Sequence, residues 1–244
     1  MRNFIIALQF LTILPPGKKI NLREENLASS TVFFPLVGII IGAFLILIER
    51  ITSFFPSLLM RTALIMVGWI WITGALHLDG FIDAIDGFAT GGKKEDILRV
   101  MKDSFVGAKG IIALICLLML KFFLLLEINP EYKSYALLFS PVMGRYSMVI
   151  GTYLSPYARE EGLGKAFFNH KTIKDALWST LIVIIVGLAL FNLTGFYLIG
   201  SNLLISLLLI AYVKKRIGGL TGDTLGGLNE IIELTTLFSI YPIR

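Results

Sequence analysis

The sequence predicts an all-α fold: a polytopic integral membrane helical bundle of six to seven transmembrane helices, preceded by an N-terminal interfacial or re-entrant segment. Three observations carry this prediction. Hydrophobic residues fill 56% of the 244 positions against 16% charged, with a mean hydropathy of +0.80, more apolar surface than one soluble core of this length would bury. Those residues come in long runs, and the basic residues concentrate in the connections between them. No repeat, linker or low-complexity stretch interrupts the chain, so residues 1–244 read as a single integral membrane domain.

Taken in order, residues 3–14 (NFIIALQFLTIL) are too few to cross a bilayer, stop at Pro15-Pro16 and lack a cleavage site for a signal peptide, which makes them the interfacial or re-entrant piece. Residues 32–49 form a first span, 58–78 a second, 111–128 a third and 135–154 a fourth. Residues 176–196 and 197–213 form the fifth and sixth. The last apolar piece, residues 228–240, contains Glu230 and Glu233; it is either a short span or a helix packed inside the bundle. The single cysteine, Cys116, lies within an apolar run, so neither a disulfide framework nor a thiolate metal site is expected.

Lys and Arg set the orientation. Sixteen lie in the N-terminal segment and in the loops after spans two, four and six, including Lys18, Lys19, Lys93, Lys94, Lys109, Lys165 and Lys214, whereas four (Arg50, Arg61, Lys133, Arg244) lie on the alternate side. The positive-inside rule therefore puts the even-numbered loops, which also hold every polar motif, in the cytoplasm. A net charge of +5 and a pI near 9.3 thus express topology and a phosphate-friendly surface; no nucleic acid is expected as a partner, and membrane lipid is.

The chemistry centres on HLDGFIDAIDG, residues 77–87. Asp79, Asp83 and Asp86 are spaced i, i+4, i+7, which on a helix gathers them within roughly 60° of circumference. Carboxylates that close repel one another unless a cation or basic groups sit among them, and oxygen-only ligands suit Mg²⁺ or Mn²⁺ better than zinc. The alternative, a solvated helix face, fits poorly with the apolar run WIWITGALHL just before it. His77 lies about 160° from Asp79 on a continuous helix and joins the carboxylates only if the backbone bends near Gly74 or Gly80; otherwise it is a buried histidine bonded to a carbonyl.

Other residues supply basic and metal-ligating groups. Lys102, Asp103 and Ser104 fall within one turn, where Asp103 either completes a metal shell or makes a salt bridge with Lys102 or Lys109. YAREEGLGK (157–165) offers Arg159 to clamp a phosphate, or is an ordinary polar loop. Arg145 sits mid-span at a cost of roughly 2.5–3.5 kcal/mol on insertion scales, so it should face the bundle and pair with an anion. Lys121 is also within a span, but its long stem can snorkel, which leaves it outside the site. GGLTGDTLGGLNE (218–230) combines glycines with Thr221, Asp223 and Glu230, suiting close approach of a phosphate or nucleotide, or a plain turn. GFATGGKK (87–94) only mimics a P-loop: Lys94 replaces the hydroxyl and no strand precedes it.

These motifs together resemble the cobalamin synthase family, the adenosylcobinamide-GDP ribazoletransferases. The resemblance runs along nearly the whole chain: FLTILP (10–15), FPLVG (34–38), GALHLDGFIDAIDG (74–87), MKDSFVGAKG (101–110), Arg145, YAREEGLG (157–164), GGLTGDTLGG (218–227), then Glu230 and Glu233. Ile13, Ala75 and Lys109 depart from the residues usual there, an Arg, a Gly and an aromatic or His. The resemblance implies Mg²⁺-dependent transfer of adenosylcobinamide phosphate from adenosylcobinamide-GDP to α-ribazole or its 5′-phosphate, with GMP released, in assembly of the cobamide nucleotide loop. The enzyme would be a multi-pass protein of the inner cell membrane with its site facing the cytoplasm. A homo-oligomer and association with other late cobamide enzymes are the protein partners considered.

On that reading Asp79, Asp83, Asp86 and Asp103 are the metal ligands. Asp83 is also essential to turnover, and Asp86 or His77 deprotonates the acceptor. Lys102, Ser104, Arg145, Arg159, Gly222, Asp223 and Glu230 bind the substrates, with Lys102, Arg145 and Arg159 at phosphates and the 218–223 loop at the guanosine diphosphate or the acceptor. Two rivals remain. A CDP-alcohol phosphotransferase would continue its motif with an Ala-Arg pair, where Ala84-Ile85 stands. A divalent-cation transporter would place its acids at the bilayer midplane, often in duplicated halves, and no second copy is present.

Overall fold

The computed structural model describes residues 2–14, 24–162, 164–169 and 171–243, with the side chains of Glu24 and Glu25 excepted. Pro15, Pro16, Lys18, Lys19, Arg23, Leu163 and Arg244, which entered the sequence reading, lie outside the described residues. The helices are α1 (Arg2–Leu11), α2 (Glu24–Ser30), α3 (Phe34–Ile51), α4 (Leu58–Ile72), α5 (Leu76–Ala89), α6 (Lys94–Val100), α7 (Ala108–Glu127), α8 (Pro130–Leu154), α9 (Lys165–Phe168), α10 (Ile173–Phe191), α11 (Thr194–Ile217) and α12 (Gly222–Ile240). Among the described residues the sole β-type pairing is one isolated bridge between Tyr157 and Leu220, so the all-α expectation holds.

Residues 26–54, 108–127, 173–191 and 194–217 are each long and apolar enough to cross a membrane. α8 runs through the middle of the bundle, buried along most of its length, against α3, α10, α11 and α12. Its approach to α3 is set by Gly38 and Gly42, one turn apart: a Cβ on either would fall within 2.7 Å of the α8 backbone at Val142 or Leu138. Small residues at that spacing let two helices meet at backbone contact, the usual device where lipid offers no hydrophobic drive for association.

The second span departs from expectation. Residues 58–78 are not one helix: α4 and α5 meet at 85°, across a turn in which Gly74 (φ 59°) and Ala75 (φ 57°) are both left-handed. Two such residues in succession cannot continue a right-handed helix. If α4 stands along the membrane normal, α5 lies near the membrane plane and is no part of a crossing. It rests across the beginnings of α7 and α12.

Other boundaries shift for local reasons. The break between the fifth and sixth spans falls at Asn192, a positive-φ residue (51°), rather than at 196. α12 begins at Gly222, capped by Thr221, whose hydroxyl accepts from the Thr224 N–H; the glycine stretch 222–227 is therefore helix, and the last helix has 19 residues instead of 13. α1 is a ten-residue helix with Ile6, Ala7 and Leu11 buried, short enough to remain the non-crossing segment foreseen.

Lys121 corrects the sequence reading outright. It does not snorkel: it is 3% exposed, and its Nζ lies 2.5 Å from Glu230 Oε2 and 2.6 Å from Glu233 Oε2, and 4.9 Å above the Trp69 ring. Glu233 also receives Arg145, the anion pairing expected for that mid-span cation. Two cations and two carboxylates, from α7, α8 and α12, thus neutralise one another inside the bundle, which is how charges become tolerable there.

Candidate active site

The site lies at the end of the bundle where α5 crosses α7 and α12. Gly80 brings α5 against the start of α12: a Cβ there would sit 3.0 Å from Asp223 Cα. Gly226 does the same in reverse toward the His77 carbonyl, also at 3.0 Å. The loop after α8 is stitched to the loop before α12 by Ala158 N–H to Leu220 O (2.8 Å) and Leu220 N–H to Pro156 O (3.0 Å). That stitching carries Arg159 to Asp223, where Nη2 meets Oδ2 at 2.6 Å.

Between these elements opens a cleft of about 270 Å³, lined by Asp79, Arg159, Asp223 and the glycines 162, 164 and 222, together with Phe10, Phe34, Phe167, Met148 and Leu225. His77 and Tyr157 also line it. A bend at Gly74, one of the two that would have let His77 join the carboxylates, does occur, but it lies upstream of His77, so His77 and Asp79 keep their opposed positions on one helix. They share the cleft because it opens over Leu76 and Gly80, the face between them.

The sequence-derived candidates separate into four groups. Asp79, Asp83 and Asp223 face one another across the α5–α12 contact; burial first, then Asp79, Asp223 and Asp86, pushes the Asp83 carboxyl up to about 6, partly offset by Arg159. Asp86 is placed differently: its two oxygens accept the N–H groups of Gly107 and Gly110 at 2.8 Å each, pinning the start of α7. Arg145, fully buried, and Glu230 lie in the charge cluster of the bundle interior. Lys102, Asp103 and Ser104 are exposed on the loop after α6 and do not line the cleft. Asp103 takes neither salt bridge considered for it: its Oδ1 accepts the Phe105 N–H at 3.1 Å, and Lys109 donates to Ala89 O.

The cluster fits a hard divalent cation by its chemistry. Its donors are all oxygen, and the burial and acidic neighbours that raise the Asp83 carboxyl are penalties a bound cation would offset. Among the described residues no three such side chains converge on one point unaided. Mg²⁺ does not ask for that, since it usually takes one or two carboxylates plus phosphate oxygens and water.

The aromatic wall was missed from sequence, as were Lys121 and Glu233 as a pair. A signal existed for the wall: Phe10 and Phe34 sit in FLTILP and FPLVG, landmarks with no obvious chemistry of their own.

A family model described as cobalamin-5-phosphate synthase matches residues 3–241. The chain is 36% identical to the adenosylcobinamide-GDP ribazoletransferase of Acetivibrio thermocellus over all of this chain and 99% of that one. It is 38% identical to the protein of the same name from Acinetobacter baumannii strain ATCC 17978, covering 98% and 96%, and 32% identical to that of Clostridium acetobutylicum, covering 99% and 96%. No solved structure matches. The chain therefore belongs to the cobalamin-5-phosphate synthase family: a transferase of cobamide assembly, as its motifs led one to expect.

Proposed function

We propose that this protein transfers adenosylcobinamide phosphate from adenosylcobinamide-GDP to α-ribazole or its 5′-phosphate and releases GMP, at an inner-membrane site open to the cytoplasm. The observation that carries the reading is that Asp79, Asp223 and Arg159 line one cleft, with Asp83 close enough to feel the charge of all three. Cutting a diphosphate requires oxygen ligands for a cation, a basic group for the departing phosphate and a carboxylate for the acceptor's proton.

Asp83 and Asp223 would hold Mg²⁺, which when bound neutralises charge on the bridging and leaving oxygens. Arg159, now paired with Asp223, turns to the substrate phosphates, where its fork matches two oxygens at once. The start of α12 at Gly222 presents the positive end of a helix to the same anion. Asp79, exposed on the cleft wall, takes the proton of the attacking hydroxyl. Asp86 is reassigned from base to anchor, because both its oxygens are already engaged.

The test is GMP release from adenosylcobinamide-GDP by the full chain in nanodiscs. Asp83→Asn should lower kcat by about a thousandfold, the scale of lost electrostatic stabilisation at a reacting phosphate, at every Mg²⁺ concentration. Near-normal turnover would end the assignment. Orientation is read separately with single-cysteine probes: position 94 should label only from the cytoplasmic side and position 193, at the opposite end and exposed, only from outside.

A further inference from the structure

His77 is 3% exposed, and nothing among its neighbours accepts from or donates to its Nε2. Its other nitrogen, Nδ1, lies 3.4 Å from Arg145 Nη2. A guanidinium can only donate, so a proton on Nδ1 would face another N–H, and the ring settles with Nδ1 as acceptor and the proton on Nε2. The surroundings hold that choice in place. Arg145 is locked by Glu233, whose second oxygen is held by Lys121, leaving neither Arg145 nor Glu233 free to turn the ring over.

The Nε2–H therefore belongs to a side chain that lines the cleft and has no protein acceptor, an arrangement that is costly unless a ligand completes it. Besides its charged residues the same cleft carries an aromatic lining: Phe10 and Phe167 lie 4.6 Å apart between ring centres, and Phe34 and Phe167 5.7 Å. A flat ring slides against such faces, and a neutral N–H in the same cleft suits a neutral acceptor better than a phosphate. We propose that His77 donates a hydrogen bond from Nε2 to a ring acceptor atom of the planar heterocycle that enters this cleft, and that Arg145 is the positioning residue fixing the tautomer that makes this possible. This rests on the reading that a nucleotide or nucleoside binds here. It reassigns Arg145 from phosphate contact to tautomer lock.

Guanine and the base of ribazole both carry such acceptors, and the experiment separates them. The chain contains two histidines, His77 and His170, so ¹⁵N-histidine labelling of His170→Gln in nanodiscs reports on His77 alone. At pH 7.5 the spectrum should show a protonated Nε2 and a bare Nδ1. Adding GMP or α-ribazole, one at a time, should move the Nε2 signal with one of them, identifying the heterocycle. A protonated Nδ1, or an Nε2 signal that neither compound moves, overturns the proposal.

Kinetics give a second, independent reading. His77→Ala should raise KM for the substrate carrying that ring by roughly 10–100-fold, the scale of a buried polar group left without its partner, with the other KM unchanged. His77→Gln, whose amide offers an N–H near the same place, should recover most of the loss. A loss shared equally by both substrates, or no rescue by Gln, would mark His77 as structural and overturn the proposal. If Asp83→Asn stays active while the Nε2 signal still responds to ligand, the phosphoryl-transfer assignment fails and the donor stands; silence at Nε2 with an inactive Asp83→Asn is the reverse.

Discussion

Asp86→Asn distinguishes an anchor from a metal ligand. The Asp86 carboxylate accepts the Gly107 and Gly110 N–H groups at 2.8 Å, two backbone donors left over at the start of α7. Hydrogen bonds to a charged acceptor are worth roughly 1.5–3 kcal/mol each, and a negative charge at a helix start adds roughly 0.3–1 kcal/mol. An amide of the same shape keeps one acceptor and turns a donor toward the second N–H. The expected loss is about 3 kcal/mol, or a melting midpoint lower by about 6–12 °C on the scaling for chains of this size. The glycines allow an independent check: a Cβ at either would come within 2.4 Å of the Asp86 carboxylate, so Gly107→Ala and Gly110→Ala should destabilise by the same displacement. The assay is thermal unfolding in detergent, followed by tryptophan fluorescence, alongside GMP release well below the midpoint. The anchor reading expects a marked loss of stability with kcat retained within about tenfold at saturating Mg²⁺. A variant as stable as the parent but inactive at any Mg²⁺ concentration would refute it and return Asp86 to the metal or the proton.

Three further outcomes follow from the structure. Lys121→Met leaves the Glu230 and Glu233 carboxylates with Arg145 alone and should destabilise by about 3–5 kcal/mol, most of it restored by adding Glu230→Gln; equal stability of the single variant in a denaturation series would disprove the pairing. Ala75→Gly should stabilise by about 0.5–1 kcal/mol, because Ala75 is held at φ 57°, where an L-residue pays roughly 1–2 kcal/mol and glycine does not; a lower midpoint would argue against the left-handed turn. With Asp83 raised to about 6, it is largely protonated below that pH and ionised above it. Mg²⁺ needs the ionised form, so calorimetric titration should show proton release on binding near pH 6, seen as a dependence on buffer ionisation heat, and almost none at pH 8. Equal release at both would detach Asp83 from the ion.

Much of the site was legible because it is local. The spacing of Asp79, Asp83 and Asp86 needs only the helical period, and the membrane class needs only composition. What stayed hidden depends on partners far along the chain. Asp86 shares a face with its neighbours, yet its fate is decided by N–H groups 21 and 24 residues away. Lys121 meets carboxylates 109 and 112 residues on, so length of stem alone suggested an escape to the interface. The right-angled break at residues 73–75 was masked by Ala75, a residue that ordinarily favours helix. The glycines at 222–227 suggested a loop because close packing of α5 on α12 asks for the same residue as a turn does.

The charge cluster between α7, α8 and α12 also bears on how sequences of this kind can drift. Lys121, Arg145, Glu230 and Glu233 sum to zero, and none is exposed beyond 5%. Exchange of any one for a neutral residue strands an uncompensated charge in an apolar interior, so the tolerated changes come in opposite-sign pairs. Positions 121 and 230 should accordingly mutate together across lineages, both ionic or both neutral, while Arg145 and Glu233 form a second such couple. A lineage that kept Glu230 and lost the cation at 121 without a new one nearby would have to have rebuilt this crossing.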